Sequence, residues 1–179
     1  HFPGVFSRPG LKLLDIGCGS GSDVSRLLAM GHDAFGTEPV EHLRNEAIRA
    51  FPELKGRLFP FALPLPDEAF RNEYFDGIIC SAVFMHLSPD LHDSAAAGIG
   101  RRLKTGGDLL ISLPGRRPDL NSSHRDSQQR LFSPISSREC LSLFRRHSFS
   151  FSHYWETGDA LDRPEVTWRT FLFHFQKHE

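Results

Sequence analysis

The chain alternates short apolar runs with segments whose apolar residues recur at helical spacing. Residues 11–16 form a run the length of a buried strand. After a glycine-rich turn, Val24, Leu27 and Leu28 share one helical face, and Gly31 stands where a helix C-cap is expected. Residues 33–38 read as a second strand. Residues 40–51 read as a helix with Leu43, Ala47, Ile48 and Phe51 apolar, stopped by Pro52. Residues 58–63 are apolar but carry Pro60, which limits them to a short or edge strand. A turn-rich connection over 63–70 leads to the apolar run 75–83, a buried strand.

Ser88-Pro89-Asp90 then opens a helix. Its inward face is expected to carry Leu91, Ala95, Ile99 and Leu103, with Arg101, Arg102 and Lys104 at its C-terminal end. Thr105-Gly106-Gly107 ends it, and 108–113 is the next strand. Residues 114–134 are polar and basic, a long loop of the kind that forms a functional lid or stays disordered. Ser136-Ser137-Arg138-Glu139 fits a capping box before a helix carrying Cys140, Leu141 and Phe144. Residues 148–156 and 166–175 alternate with strand period, separated by a turn-rich break over 157–165. In the first of them Phe149, Phe151 and Trp155 are expected in the core of a half-buried strand.

This order predicts a doubly wound, mostly parallel α/β sheet with helices on both faces and an antiparallel C-terminal edge hairpin. In such sheets ligands sit beyond the carboxyl ends of the strands. The glycine turn, Glu38, the connection at Ala62-Leu63 and the stretch from Ser81 to His86 all fall on that edge.

The 179 residues suffice for one domain, taken as 1–179. Apolar residues make up 39% and charged residues 24%, which suits a globular rather than a disordered chain, and a net charge of −1 argues against a general polyanion-binding surface. No apolar run reaches transmembrane length, so a cytoplasmic protein without membrane partners is expected. Cys18, Cys80 and Cys140 lack the spacing of a zinc knuckle or redox pair and read as reduced thiols, and the ten histidines show no metal-binding spacing.

The chemistry concentrates in Asp15-Ile16-Gly17-Cys18-Gly19-Ser20-Gly21. A strand, a glycine turn and a helix start hold anionic or nucleotide-like ligands, because glycines let backbone approach and the first helical N–H groups point outward. The dinucleotide fingerprint asks for a third glycine or an alanine where Ser22 stands. The pattern D-x-G-x-G-x-G closing a strand instead resembles the first motif of the class I S-adenosylmethionine-dependent methyltransferases. The resemblance extends over 11–175 through Gly36-Thr37-Glu38-Pro39, residues 63–79, and Leu103-Lys104-Thr105-Gly106-Gly107-Asp108. It implies a Rossmann-like fold with S-adenosylmethionine bound by Asp15, Gly17, Cys18, Gly19, Gly21, Glu38, Pro39, Ala62, Leu63, Ser81 and Ala82. Glu38 would accept hydrogen bonds from ribose hydroxyls, and Ala62 and Leu63 would hold adenine through backbone and apolar contacts. Ten residues precede the first strand where the family usually has a helix, so the N-terminus is expected to be incomplete.

The resemblance implies methyl transfer by in-line displacement, which requires alignment first and a base only if the acceptor loses a proton early. His86 is the candidate base, set against a packed or solvent-facing histidine. Arg116, Arg117, Arg125 and Arg130 either clamp an anionic acceptor or form a solvated loop. Cys80-Ser81-Ala82-Val83 lacks the Asn/Asp-Pro-Pro-aromatic signature of DNA amino methyltransferases. A small-molecule acceptor is therefore expected, with RNA and protein open. Two other readings stand beside it, an NAD(P)-dependent oxidoreductase and a non-catalytic cofactor-binding module.

Overall fold

A computed structural model describes residues 2–71, 74–159 and 163–176. After a short helix, α1 (Phe2–Val5), the elements are β1 (Lys12–Ile16), α2 (Ser22–Ala29), β2 (Asp33–Thr37), α3 (Glu41–Ala50), β3 (Leu58–Phe59), β4 (Phe75–Ser81), α4 (His92–Gly100), β5 (Leu103–Pro114), α5 (Ser137–Arg146), β6 (Phe149–Gly158) and β7 (Thr167–Phe175). The seven strands form one sheet in the order β3-β2-β1-β4-β5-β7-β6. β1 to β5 run parallel, while β7 lies antiparallel between β5 and β6. The sheet thus has the expected mixed topology, with β3 reduced to a two-residue edge strand by Pro60.

Successive residues of a strand point to opposite faces, so each central strand feeds two cores. Leu13, Ile79 and Leu110 meet Val24 and Leu27 of α2 and Ala47 of α3 on one side. Leu14, Ile78, Leu109 and Ile111 meet Ala95, Ala96 and Ile99 of α4 and Cys140, Leu143 and Phe144 of α5 on the other. Gly31, with φ of 85°, follows the end of α2 as its sequence suggests. The capping box at α5 forms in full: Glu139 N–H donates to Ser136 Oγ at 3.2 Å, and Ser136 N–H donates to Glu139 Oε2 at 2.8 Å.

The structure corrects the sequence reading in four places. Residues 2–5, expected to be irregular, form α1, and Phe6 behind it is buried. α4 stops at Gly100 rather than at the Thr105-Gly106-Gly107 stretch, and β5 already begins at Leu103. The cause is Arg102, whose buried guanidinium donates to the carbonyls of Pro66, Asp67 and Ala69 and pulls the chain out of the helix. Leu91 lies in a 3-10 turn over Pro89–Leu91 and is 37% exposed, not inward. β6 lies at the sheet edge as expected, but it is largely exposed rather than half-buried. Its register shifts between Phe151 and His153, and Phe151 is half exposed. Of the break expected over 157–165, residues 160–162 lie outside the described residues.

Candidate active site

The site grows from the end of β1. Ile16 is paired with Thr37 of β2, and the next two backbone N–H groups also turn to Thr37. Gly17 N–H donates to Thr37 Oγ1 at 3.3 Å, and Cys18 N–H donates to the Thr37 carbonyl at 2.9 Å. Gly21 N–H then donates back to the Cys18 carbonyl at 2.8 Å, which closes the turn. Gly17, Gly19 and Gly21 have φ of 71°, 50° and 73°, the left-handed region that suits glycine. A Cβ at Gly17 would lie 2.3 Å from Val83 Cγ2, and one at Gly21 would lie 2.5 Å from Leu54 Cδ1, whereas Gly19 faces open space. The turn is therefore packed at both ends and open in its middle. Gly21 is also the N-cap of α2 and offers no side chain, so the first-turn N–H groups are left to a ligand.

Acidic groups gather on the same edge. Asp15 is buried, and burial, then the charge of Asp23, holds its carboxyl well above the usual carboxylate range. Burial also raises Asp23, against the neighbouring Arg26. The Cys18 thiol is pushed up to about 12 by burial, then by Asp15 and Glu38. A ligand carrying positive charge near this edge would relieve these strained carboxyls.

Glu38 directly follows β2 and is mostly buried. Its Oε1 accepts from Val40 N–H at 2.9 Å. The Arg44 guanidinium donates to the carbonyls of Glu38 at 2.7 Å and Pro39 at 2.9 Å, so α3 pins the turn that carries the acid. Sequence reasoning missed Arg44. Its signal was a cation one turn inside the helix that follows the acidic strand end. Ala62 is exposed and Leu63 buried, beside rings the sequence reading had treated only as a departure from the family pattern. Phe59 and Phe61 lie nearly parallel with centroids 6.2 Å apart, and Phe70 meets them edge-on at 4.9 and 5.6 Å.

β4 delivers the opposite wall. Its pairing of Asp15 with Ile79 brings Gly17 to the level of Ser81. Ser81 Oγ lies 2.9 Å from Ser112 Oγ, and Ala82, with φ of 57°, donates its N–H to Ser112 Oγ at 3.0 Å. An alanine in the left-handed region is strained, and Ser112, a second residue missed in the sequence, holds it there. One turn on, His86 N–H donates to the Val83 carbonyl at 2.9 Å. The His86 ring lies 2.6 Å, through Nδ1, from the Leu131 carbonyl.

The loop over 114–134 is folded rather than loose; Arg117 is tied down within it, whereas Arg116, Arg125 and Arg130 lie exposed on its surface. Arg117 forms a two-pronged bond to Asp119 at 2.7 Å and lies 4.1 Å over the Phe132 ring. Arg130 donates to the buried Asp126 at 2.7 Å, and Arg125 donates to the Gln129 carbonyl at 2.6 Å. Arg169 of β7 ties the two ends together by donating to the carbonyls of Pro114 and Ile135 at 2.7 and 2.8 Å. A cavity of about 400 Å³ opens between this loop and the start of α5, lined by Arg117, Leu120, Phe132, Ile135 and Glu139. Among the described residues no group of three or more His, Cys, Asp or Glu could hold a metal, and no helix is long and apolar enough to cross a membrane.

The chain resembles an uncharacterised methyltransferase of Bacillus licheniformis, 31% identical over 108 residues, which cover 60% of this chain and 49% of that one. A cyclopropane-fatty-acyl-phospholipid synthase of Escherichia coli is 30% identical over 115 residues, 64% of this chain and 29% of that one. The chain thus spans half or less of the length of these relatives. Among solved structures, the 1,6-didemethyltoxoflavin-N1-methyltransferase of Burkholderia thailandensis, with bound 1,6-didemethyltoxoflavin and S-adenosylhomocysteine, superposes with a TM-score of 0.78 at 21% identity, covering 98% of this chain and 75% of that one. The sequence model of a family described as a methyltransferase domain matches residues 4–151, which take in the glycine turn, Glu38 and the whole β4–β5 wall. The chain belongs to that family, the class I S-adenosylmethionine-dependent methyltransferases.

Proposed function

We propose that this protein transfers the methyl group of S-adenosylmethionine to a small-molecule acceptor. The observation that carries the reading is the open middle of the glycine turn at Gly19, set between the acid-lined ends of β1 and β2 and the strained Ala82 that follows β4. When bound, S-adenosylmethionine supplies an activated methyl on a sulfonium. The residues that would hold it are Gly17, Cys18, Gly19 and Gly21 through backbone, Asp15 through charge, Glu38 and Pro39 at the ribose end, and Ala62 and Leu63 beside the phenylalanine cluster. Ser81 and Ala82 would close the wall nearest the reacting centre. Alignment in a dry site is the protein's main contribution to such a displacement.

The 400 Å³ cavity behind Phe132 supports an acceptor of modest size, since ligand pockets usually run from about 300 to 1,000 Å³. Calorimetric titration with S-adenosylhomocysteine, NAD as comparison and Glu38→Ala as control, tests the cofactor. Micromolar binding of S-adenosylhomocysteine alone, weakened in the variant, is expected. Binding of NAD instead, or of neither, rejects the proposal. A screen of metabolite extracts for products heavier by one methylene then tests the acceptor class.

A further inference from the structure

Three hydrogen bonds join the end of the 114–134 loop to the segment that follows β4. Ser133 N–H donates to the Met85 carbonyl at 2.7 Å, and the Ser133 hydroxyl donates to the Leu87 carbonyl at 2.5 Å. Between them the His86 ring meets the Leu131 carbonyl at 2.6 Å. A carbonyl oxygen has no proton to give, so Nδ1 must carry the hydrogen. The neutral ring then has its lone pair on Nε2, which has no hydrogen bond among the described residues. Phe132 stands against the ring edge-on at 4.7 Å and opposes its rotation. Ser133 and Phe132 are buried, so the strip is part of the core and not a surface accident. The ring itself is only part-buried, one turn past the Val83 that abuts Gly17.

We propose that His86 takes a proton from the methyl acceptor through Nε2, and that Ser133 is a positioning residue that holds the ring in this tautomer by way of the Leu131 carbonyl. The inference rests on the methyl-transfer reading and narrows its acceptor to a protic O–H or N–H group. The acceptor's hydrogen passes to Nε2, and the electron pair of that bond stays on the acceptor atom as it joins the methyl carbon. The pair of the broken C–S bond is left on sulfur, and the imidazolium returns its proton to water. A fixed second partner on the other ring nitrogen is how imidazole bases are commonly oriented.

The test uses the full chain, ¹⁵N-labelled, with S-adenosylmethionine carrying a ¹³C methyl. Ring nitrogen spectra of His86 are expected to show hydrogen on Nδ1, and the labelled methyl is expected to show a nuclear Overhauser contact to the His86 ring. Ser133→Ala should mix in the tautomer with hydrogen on Nε2, Ser133→Thr should restore the original signature, and cofactor affinity should stay within about threefold in both. Hydrogen on Nε2 in the unaltered protein overturns the proposal. So does a bound methyl that contacts other protein protons and not His86, an outcome that leaves the cofactor reading standing. A labelled methyl that never binds overturns both readings together. With any acceptor from the screen, His86→Asn keeps a donor for Leu131 and removes the base. It should lower kcat by about a hundredfold or more with little change in KM, and an unchanged kcat overturns the proposal.

Discussion

Replacing Gly17 by alanine separates two demands that the glycine turn makes on its sequence. One is conformational: with φ of 71°, a residue bearing Cβ costs about 1–2 kcal/mol in the left-handed region. The other is steric, because the new Cβ would lie 2.3 Å from Val83 Cγ2. Valine is stiff about χ1 and cannot swing away cheaply, and forcing a methyl into a packed site costs a further 1–3 kcal/mol or so. Gly19 is an internal control. Its φ is 50°, but a Cβ there meets nothing within 4 Å, so it carries the conformational cost alone. Gly17→Ala should therefore lose about 2–5 kcal/mol of unfolding free energy and Gly19→Ala about 1–2. Domains hold only about 5–15 kcal/mol in total, so the first variant approaches the limit and the second does not. Urea unfolding followed by tryptophan fluorescence measures both. Val83→Ala added to Gly17→Ala should recover on the order of 1 kcal/mol, because the two sites touch. Gly19→Ala should instead reveal itself in weakened S-adenosylhomocysteine binding. Equal losses of stability at the two glycines, or no recovery in the double variant, would refute the steric argument.

Other consequences can be measured independently. Because burial and Asp23 raise the folded pKa of Asp15, its contribution to stability is present below the ordinary carboxylate pKa and lost as pH rises through the raised value. Asp15→Asn should therefore be more stable than the parent at pH 7 and similar to it near pH 3, at the expense of cofactor affinity. Parallel pH curves of the urea midpoint would show the carboxyl to be unstrained. Arg169→Leu removes the donors that join Pro114 to Ile135 and should cost about 2–4 kcal/mol, with amide protection lost first over residues 115–134. Unchanged exchange there would mean that the loop holds itself. All three cysteines are buried, with Cys18 and Cys140 each pushed up to about 12. At pH 8 a thiol reagent should label none of them until urea unfolds the chain. Rapid labelling of Cys18 would contradict its burial.

The order of strands and helices was legible because each central strand carries its own apolar pairs, such as Leu13-Leu14 and Ile78-Ile79. What escaped depended on partners far along the chain. Arg102 reads as a cation at a helix end, and only the carbonyls of Pro66, Asp67 and Ala69 turn it into the point where α4 gives way to β5. Phe149, Phe151 and Trp155 read as one buried face, yet a shifted register at the sheet edge leaves Phe151 half exposed. The basic loop showed its charges but not their pairing, since Asp126 with Arg130 and Arg117 with Phe132 are contacts within a local fold that has no periodic signature. Likewise the position of His86 beyond β4 was plain, whereas its partner Leu131 lies 45 residues away.

The position of β7 bears on how such a chain is made. Of the seven described strands, the one latest in the sequence is the sixth across the sheet, not the rim. While residues 167–175 are still inside the ribosome, β5 presents an unpaired edge and β6 has no neighbour at all. The nascent chain therefore carries its glycine turn and the β4 wall before it can close the sheet, and open edges of this kind invite pairing with other chains. Phe171 and Phe173 arrive on the same strand and fill the core under α5, so one late insertion supplies both the missing hydrogen bonds and the missing aromatic packing. A premature stop codon after residue 158 would thus remove a middle plank, and the damage would spread to β5, whose other neighbour is the β4 wall of the cofactor edge.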